Sequence, residues 1–438
     1  MRSLPRDWPR AFAHVDADCF YVSCELIRRP ELRGRPVAVM SSQDACVVAK
    51  SYDAKARGIA TGMPVWEAEK RLPGLVLLPA DFRFYGLMSA RMFAVLARFS
   101  PEIERYSIDE GFLDMEGLRG LFRCDYRTLA DRMRRAVREE LGITVSIGIS
   151  VNKLLAKMAS EANKPDGSTV VPGRRVAEFL AGRSCGDIPG IGARRAALLR
   201  KFGVHTARQL ADVGFAQVRR LLGKFGVDIW RELNGEQVFA LDMGEALPKS
   251  MARTASLGCR TRARRLVEGH LSYHVFRLAM DMTSRGLRAR RLRVMLRLGN
   301  FERVYADVPL PRASSSYPQL SRAAIRGLDE LWPPEREVGA CGVIAMSLAR
   351  ANQAQGTLFA DDGEETRMLP LWESIARINR KYGRRTVQPA ASAVVPERTG
   401  RQPRFRYPVI EGRAGYASET YSTSKQVLMA ACSIVFRS

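Results

Sequence analysis

Apolar and polar positions change their period along this chain, and the changes mark its parts. Residues 143–152, ITVSIGISVN, are rich in β-branched side chains and predict a strand. Residues 126–142, YRTLADRMRRAVREELG, space Leu129, Met133, Val137 and Leu141 four apart and predict an amphipathic helix. AFAHVDADCFYVSCELI (11–27) reads as a strand and then a helix start. RPVAVMSS (35–42) reads as a second strand, and ACVVAKSYDAKARGI (45–59) as a strand running into a helix. FRFYGLMSARMFAVLARFS (82–100) is an amphipathic helix, SIDEGFLDM (107–115) a strand, and KLLAKMASEANKPDG (153–167) a helix ending at Pro165. Strands and helices thus alternate to about residue 174, and the pattern from 175 to 243 is helical. ALPKSMARTASLG (246–258) has linker character, and 254–350 mixes helices with alternating strands. In RLRVMLRLG, Leu292, Val294, Leu296 and Leu298 share one face, with Arg291, Arg293 and Arg297 on the other. A polar, acidic stretch follows residue 350. The whole predicts an α/β multidomain protein.

Composition narrows the partner. The chain has 438 residues, too many for one core, and 46% are hydrophobic. Lys and Arg number 70 against 46 Asp and Glu, a net charge of +24. That excess predicts a polyanionic partner. Cysteines stand at 19, 24, 46, 124, 185, 259, 341 and 432 with no CxxC pair, which argues against a zinc cluster and fits a reducing cytosol. His270 and His274 are four apart, but no third ligand stands at metal spacing, so they read as one helix face. The N-terminal residues carry no apolar core of a signal peptide, and no apolar run is long enough to span a membrane. The expected location is the cytoplasm.

The chemistry is in the acids. YSIDEGFLD (106–114) sets Asp109 and Glu110 side by side in an apolar stretch, where two carboxylates are costly unless cations meet them. HVDADCFY adds Asp16 and Asp18 at the end of another apolar strand. If the two strands lie together, three or four carboxylates converge, a donor set for hard divalent cations such as Mg²⁺. Two Mg²⁺ ions on shared carboxylates are the arrangement for phosphoryl transfer.

HVDADCFYVSCE, YSIDEGFLD and NKPDG, in this order and at these separations, resemble the Y family of translesion DNA polymerases. SSQDACVVAKSYDAKARGI is closer to its UmuC branch and LLAKMASEANKPDGSTVV to its DinB branch. The resemblance runs from about residue 10 to 350. It implies a right-hand polymerase: an α+β palm (10–26 and 87–174), small fingers (27–86), an all-α thumb with a helix–hairpin–helix (175–243), a linker (244–253), an α+β little finger (254–350) and a C-terminal extension (351–438). It implies Asp16, Asp109 and Glu110 as catalytic ligands of two Mg²⁺ ions, with the Ala17 carbonyl, and Asp18 as structural. Phe20 and Tyr21 then lie at the nucleotide, with Tyr21 excluding a 2′-OH by clash. Tyr52, Lys55 and Lys164 match positions that contact the triphosphate. Lys55 stands where many relatives have Arg, so it offers a point charge without a fork, and Ala49 stands where many have a hydroxyl. Cys46, Val48 and Gly62 match the positions over the nascent base pair. Small residues there leave room for a damaged template base and weaken shape selection.

The remaining signals concern polymers. GDIPGIGARRAALLRKFGV (186–204) has a Pro-Gly-Ile-Gly turn between helical segments. Gly190 and Gly192 allow close backbone approach to a phosphate, flanked by Arg194 and Arg195. From Arg253 to Arg303 there are thirteen arginines and three acids, Glu268, Asp281 and Glu302. Arg291, Arg293 and Arg297 on one strand face suit a sheet laid on DNA, as the family's little finger implies. QGTLF (355–359) resembles the peptide by which bacterial polymerases bind the sliding clamp, through Gln355, Leu358 and Phe359. The expected partners are primer–template DNA, deoxynucleoside triphosphates and the clamp. The UmuC likeness implies a UmuD-type accessory protein, the DinB likeness a polymerase that works alone. A non-catalytic adaptor recruiting another polymerase would need the basic domains and the clamp peptide but no acids, so the intact acidic triad argues for the enzyme.

Overall fold

The computed structural model describes residues 8–41, 45–244, 247–351, 363–382 and 386–394. They form two units that divide at residues 245–246.

The first unit opens with β1 (Phe12–Ala17) and α1 (Phe20–Arg28), followed by β2 (Val37–Met40), β3 (Val47–Lys50), α2 (Tyr52–Ala56), α3 (Val65–Arg71), β4 (Val76–Pro79) and α4 (Phe82–Leu96). Then come β5 (Ile103–Arg105), β6 (Glu110–Asp114), α5 (Leu118–Phe122), α6 (Tyr126–Leu141), β7 (Val145–Ser150), α7 (Lys153–Ala162) and β8 (Ser168–Val171). The central sheet has the order β5-β6-β1-β7-β8. β1 runs antiparallel to both neighbours, so every inward residue of β1 is covered on two sides. Val15, Val145, Ile147 and Ile149 pack against Met92, Phe93, Leu96 and Met133 in one core. β3-β2-β4 form a separate three-stranded sheet.

Two sequence expectations shift at element ends. The strand expected over 107–115 begins only at Glu110. The Ser107 N–H donates to the Glu110 carbonyl at 2.8 Å, which closes a turn and leaves Asp109 at its corner. The helix expected to reach Pro165 stops at Ala162.

Helices α8 (Val176–Ala181), α9 (Ala193–Lys201), α10 (Ala207–Asp212) and α11 (Phe215–Leu233) share another core around Leu199, Leu210, Val218 and Ile229. α11 breaks at Gly223.

The second unit is a four-stranded antiparallel sheet of order β11-β10-β12-β9. Its strands are β9 (Ser250–Thr261), β10 (Leu287–Leu298), β11 (Arg303–Ser314) and β12 (Val338–Arg350). Much of the segment with linker composition is therefore β9. It is an edge strand, so only one side of its backbone is paired, and small polar residues suffice along it. Helices α12 (Arg264–Ser284) and α13 (Tyr317–Leu331) cover the face that carries Leu292, Val294 and Leu296. Arg291, Arg293 and Arg297 alternate with those leucines and face away from that core. Among the described residues no helix is long and apolar enough to cross a membrane.

Candidate active site

The antiparallel register pairs Asp16 of β1 directly with Glu110 of β6. One residue further, the Ala17 N–H donates to the Asp109 carbonyl at 2.9 Å. Asp16 and the adjacent pair Asp109 and Glu110, 93 positions further along the chain, are thereby brought to one end of the central sheet. His14, on the same face of β1 two residues earlier, joins them. One ligand atom each from His14, Asp16 and Glu110 lie within 4.8 Å of one another. Asp109 is outside that triplet, and its carboxylate accepts from the Ser107 hydroxyl.

Ammonium groups answer the buried charges. Lys164 Nζ is 2.8 Å from Asp16 Oδ1 and 2.7 Å from Glu161 Oε1. Lys157 of α7 donates to Glu110 Oε2. Burial pushes the Asp16 carboxyl up to about 7; Lys164 opposes this, while the negative charges of Asp109 and Glu110 add to it. Burial also raises Asp109. At Glu110 burial is outweighed by the His14 ring and the Lys157 ammonium, which hold the carboxyl down at about 2. Burial pushes the His14 imidazole down to about 4. His14 Nδ1 is 2.7 Å from Ser160 Oγ, and that hydroxyl donates to the Lys157 carbonyl at 2.8 Å. Nε2 of the ring faces both the Glu110 carboxylate, 3.1 Å away, and the Lys157 ammonium, 3.4 Å away.

Helix α7 can supply these groups because it lies on the sheet at backbone distance. A Cβ at Gly148, the partner of His14 across β1–β7, would stand 2.1 Å from the Ala156 carbonyl and 2.2 Å from the Ser160 nitrogen. Asn152 caps the helix by accepting from the Leu155 N–H at 3.0 Å. The buried Glu232 carboxylate accepts from the N–H groups of Leu154, Val238 and Phe239, which ties the start of α7 to the helical segment.

Asp18 turns out of the acid cluster. Its carboxylate accepts from Ser146 Oγ at 2.8 Å, from the Asp166 N–H at 2.8 Å and from the Tyr52 hydroxyl at 3.4 Å. Phe20 is buried in the core. Tyr21 stacks on Tyr85 with centroids 4.5 Å apart and meets Phe82 edge-on, so its ring plane is fixed. Cys46 and Val48 are half-buried near the turn at Gly62, whose φ of +86° belongs to glycine. Lys55 is exposed, 5.9 Å from the Tyr52 ring centre.

The sequence reading missed His14, Lys157, Ser160, Glu232 and Lys50. Lys50, on β3 one residue from Ala49, donates to Thr61 at 2.7 Å, and both burial and nearby Lys55 weaken its hold on a proton. A third lysine beside Tyr52 and Lys55 was legible only as one more charge in a basic chain.

In the helical segment Gly190 has φ +90°, and a Cβ there would meet Phe225 at 2.9 Å. Gly192 is the N-cap of α9. Arg195 donates back to the Gly190 carbonyl at 2.9 Å, whereas Arg194 is exposed. Arg293 forms a fork to Asp307 at 2.5 and 2.7 Å. Gln355, Leu358 and Phe359 lie outside the described residues.

Residues 15–161 match the impB/mucB/samB family, and residues 248–358 match the C-terminal domain of that family. DNA polymerase IV 1 of Bacillus subtilis is 31% identical over 394 residues, covering 87% of this chain and 93% of its own. The chain belongs to the Y family of DNA polymerases. The polymerase is also 35% identical to DNA polymerase IV of Methanoculleus marisnigri, over 73% of this chain and 89% of that one. It is 30% identical to protein ImpB of Salmonella typhimurium, over 88% and 94%. Its fold matches a solved Y-family DNA polymerase chimera of Dbh and Dpo4 with a TM-score of 0.68 at 22% identity, over 78% of this chain and 99% of that one. The polymerase therefore has the right-hand architecture, with an α+β palm, small fingers, an all-α thumb and an α+β little finger.

Proposed function

We propose that this DNA-directed DNA polymerase copies template across damaged positions, with Asp16, Asp109 and Glu110 as its catalytic acids. The observation that carries the reading is the register that sets Asp16 against Glu110 while Ala17 bonds Asp109. The donor set fits a hard dication. Three carboxylates face two ammonium groups, and Asp16 is driven toward its neutral form by burial, with the negative charges of Asp109 and Glu110 adding to the push. Asp16, Asp109, Glu110 and the Ala17 carbonyl would hold two Mg²⁺ ions. When bound, these would make the primer 3′-OH more acidic and neutralise the leaving pyrophosphate.

The protein's own groups do the rest. Lys157 and His14 keep Glu110 ionised and oriented. Lys164, Lys55 and Tyr52 would receive the triphosphate, with Lys164 reaching it from beside Asp16. Tyr21, held flat by Tyr85, would exclude a ribose 2′-OH. Cys46, Val48 and Gly62 would roof the base pair with small groups. Selection then rests on pairing energy, which permits bypass and lowers fidelity. Arg194 beside Gly190 and Gly192, and the Arg291, Arg293 and Arg297 face, would hold primer–template DNA. The domain divisions proposed are palm 10–26 and 87–174, fingers 27–86, thumb 175–243, linker 244–253, little finger 254–350 and extension 351–438. Gln355, Leu358 and Phe359 would bind the sliding clamp. Capture of clamp and of UmuD-type proteins, repeated with Phe359→Ala, tests those partners.

Primer extension with Mg²⁺ on intact and abasic templates tests the whole. The wild type should extend on both and Glu110→Ala on neither. Extension by the variant overturns the acid assignment, and arrest of the wild type at each lesion overturns bypass.

A further inference from the structure

The hairpin between β10 and β11 carries an aromatic residue that neither packing nor turn chemistry accounts for. The Phe301 N–H donates to the Leu298 carbonyl at 2.9 Å, and the Leu298 N–H donates to the Glu302 carbonyl at 2.8 Å. This tight turn requires a left-handed residue at its end. Phe301 occupies that position with φ +66°, where glycine is at home and a bulky side chain is strained. The ring is nonetheless 71% exposed. Strain and an uncovered aromatic surface therefore coincide at one residue.

The surroundings are cationic. The guanidinium carbons of Arg297 and Arg260 stand 5.6 and 5.9 Å from the ring centre. With Gly299 and Gly339 these three residues line a cavity of about 210 Å³ at the end of the sheet. The adjacent acid, Glu302, is engaged by Arg336 at 2.7 Å and by Asn300 at 3.2 Å. Burial, with the charges of Arg303 and Arg260, lowers the proton affinity of Arg297.

We propose that Phe301, Arg260 and Arg297 form a docking point for one unpaired nucleotide of a DNA strand, its base stacked on the ring and its phosphate held by the two guanidinium groups. Every base has a π-face, so such a contact is tolerant of sequence, and arginine supplies the phosphate bond. A base inside a duplex has both faces covered by its neighbours. The ring therefore selects a single-stranded segment. The inference rests on reading this unit as DNA-binding and adds an unpaired strand to it.

The test measures binding of the full chain to labelled DNA, either a duplex with a single-stranded template overhang or a blunt duplex. Phe301→Gly relieves the backbone strain, so its melting temperature should equal or exceed that of the wild type. Its affinity for the overhang DNA should fall about tenfold, with blunt-duplex affinity unchanged. Equal loss on both DNAs, or no loss on either, overturns the inference. An Arg291→Ala control separates the levels. If it weakens both DNAs while Phe301→Gly changes neither, the inference fails and the DNA-binding reading stands. If neither variant changes binding, both fail.

Discussion

Asp18 and Asp166, 148 positions apart, are joined by a hydrogen bond from the Asp166 N–H to the Asp18 carboxylate at 2.8 Å. The bond fastens the loop after α7 to the end of β1, and that loop carries Lys164. From outside, Arg134 and Arg138 of α6 grip the Asp166 carboxylate at 3.0 and 2.6 Å. The position of Lys164 therefore depends on an acid that lies outside the cluster of Asp16, Asp109 and Glu110.

Asp18→Ala should leave the Asp166 N–H and the Ser146 hydroxyl without their acceptor. A stability loss of about 2–3 kcal/mol is expected, together with a KM for nucleotide raised about tenfold. Asp18→Asn should recover most of both, because the amide oxygen still accepts from Asp166 and the hydroxyls can rotate. Denaturant melts and steady-state kinetics check this pattern.

The pH dependence of stability carries opposite contributions from Asp16 and His14. Asp16 is raised from 3.8 to about 7 in the folded chain. Between those values the native state holds a proton that the unfolded state has released, so stability falls as pH rises from about 4 to 7. His14 is lowered from 6.5 to about 4, so between those values the unfolded state binds the extra proton and stability rises with pH. The two largely cancel below pH 6.5. In chelator-containing buffer, Asp16→Asn should remove the first contribution alone. Its advantage over the wild type should grow from near zero at pH 4 to roughly 2–4 kcal/mol above pH 7. Thermal melts of both proteins across this range read the difference directly, and a constant difference would refute the burial of a strained acid at position 16.

Gly148→Ala should force α7 away from β7, since the added carbon would meet backbone atoms at 2.1 and 2.2 Å. The expected cost is about 3 kcal/mol or more. Activity should fall even where the variant is folded, because Lys157 and Ser160 move with the helix. Circular dichroism melts and primer extension at a permissive temperature measure the two effects separately.

Tyr21→Ala should lower discrimination against ribonucleotides by about 100-fold. Loss of the stack on Tyr85 should also cost about 3 kcal/mol of stability. An aromatic serving only the core would show the second effect without the first, so single-nucleotide incorporation assays with both sugar types decide between the roles.

Local pattern made most of this fold legible. The β-branched run at 145–150 could be read as a strand and the four-residue spacing from Leu129 to Leu141 as a helix, because period alone chooses between them. The alternation of Arg and Leu in β10 likewise told which residues would face a core and which would not. Segments governed by distant partners were opaque. Residues 246–258 look like a linker, yet from Ser250 onward they pair with β12, and only the second strand makes them a strand. Asp109 looks like part of β6, yet the turn closed by Ser107 places it at a corner.

The amino-acid sequence by itself determined which residues could do this chemistry: acids at 16, 109 and 110, lysines at 55 and 164, and an aromatic at 21, in the order of a known family. Tertiary structure alone decided which atoms meet. The β1–β6 register aligned Asp16 with Glu110, and a bare glycine at 148 let α7 descend until Lys157 reached the Glu110 carboxylate and Ser160 reached the His14 ring. Hydrophobic period is a property of neighbours along the chain, whereas strand register and helix approach are set by atoms a hundred residues away.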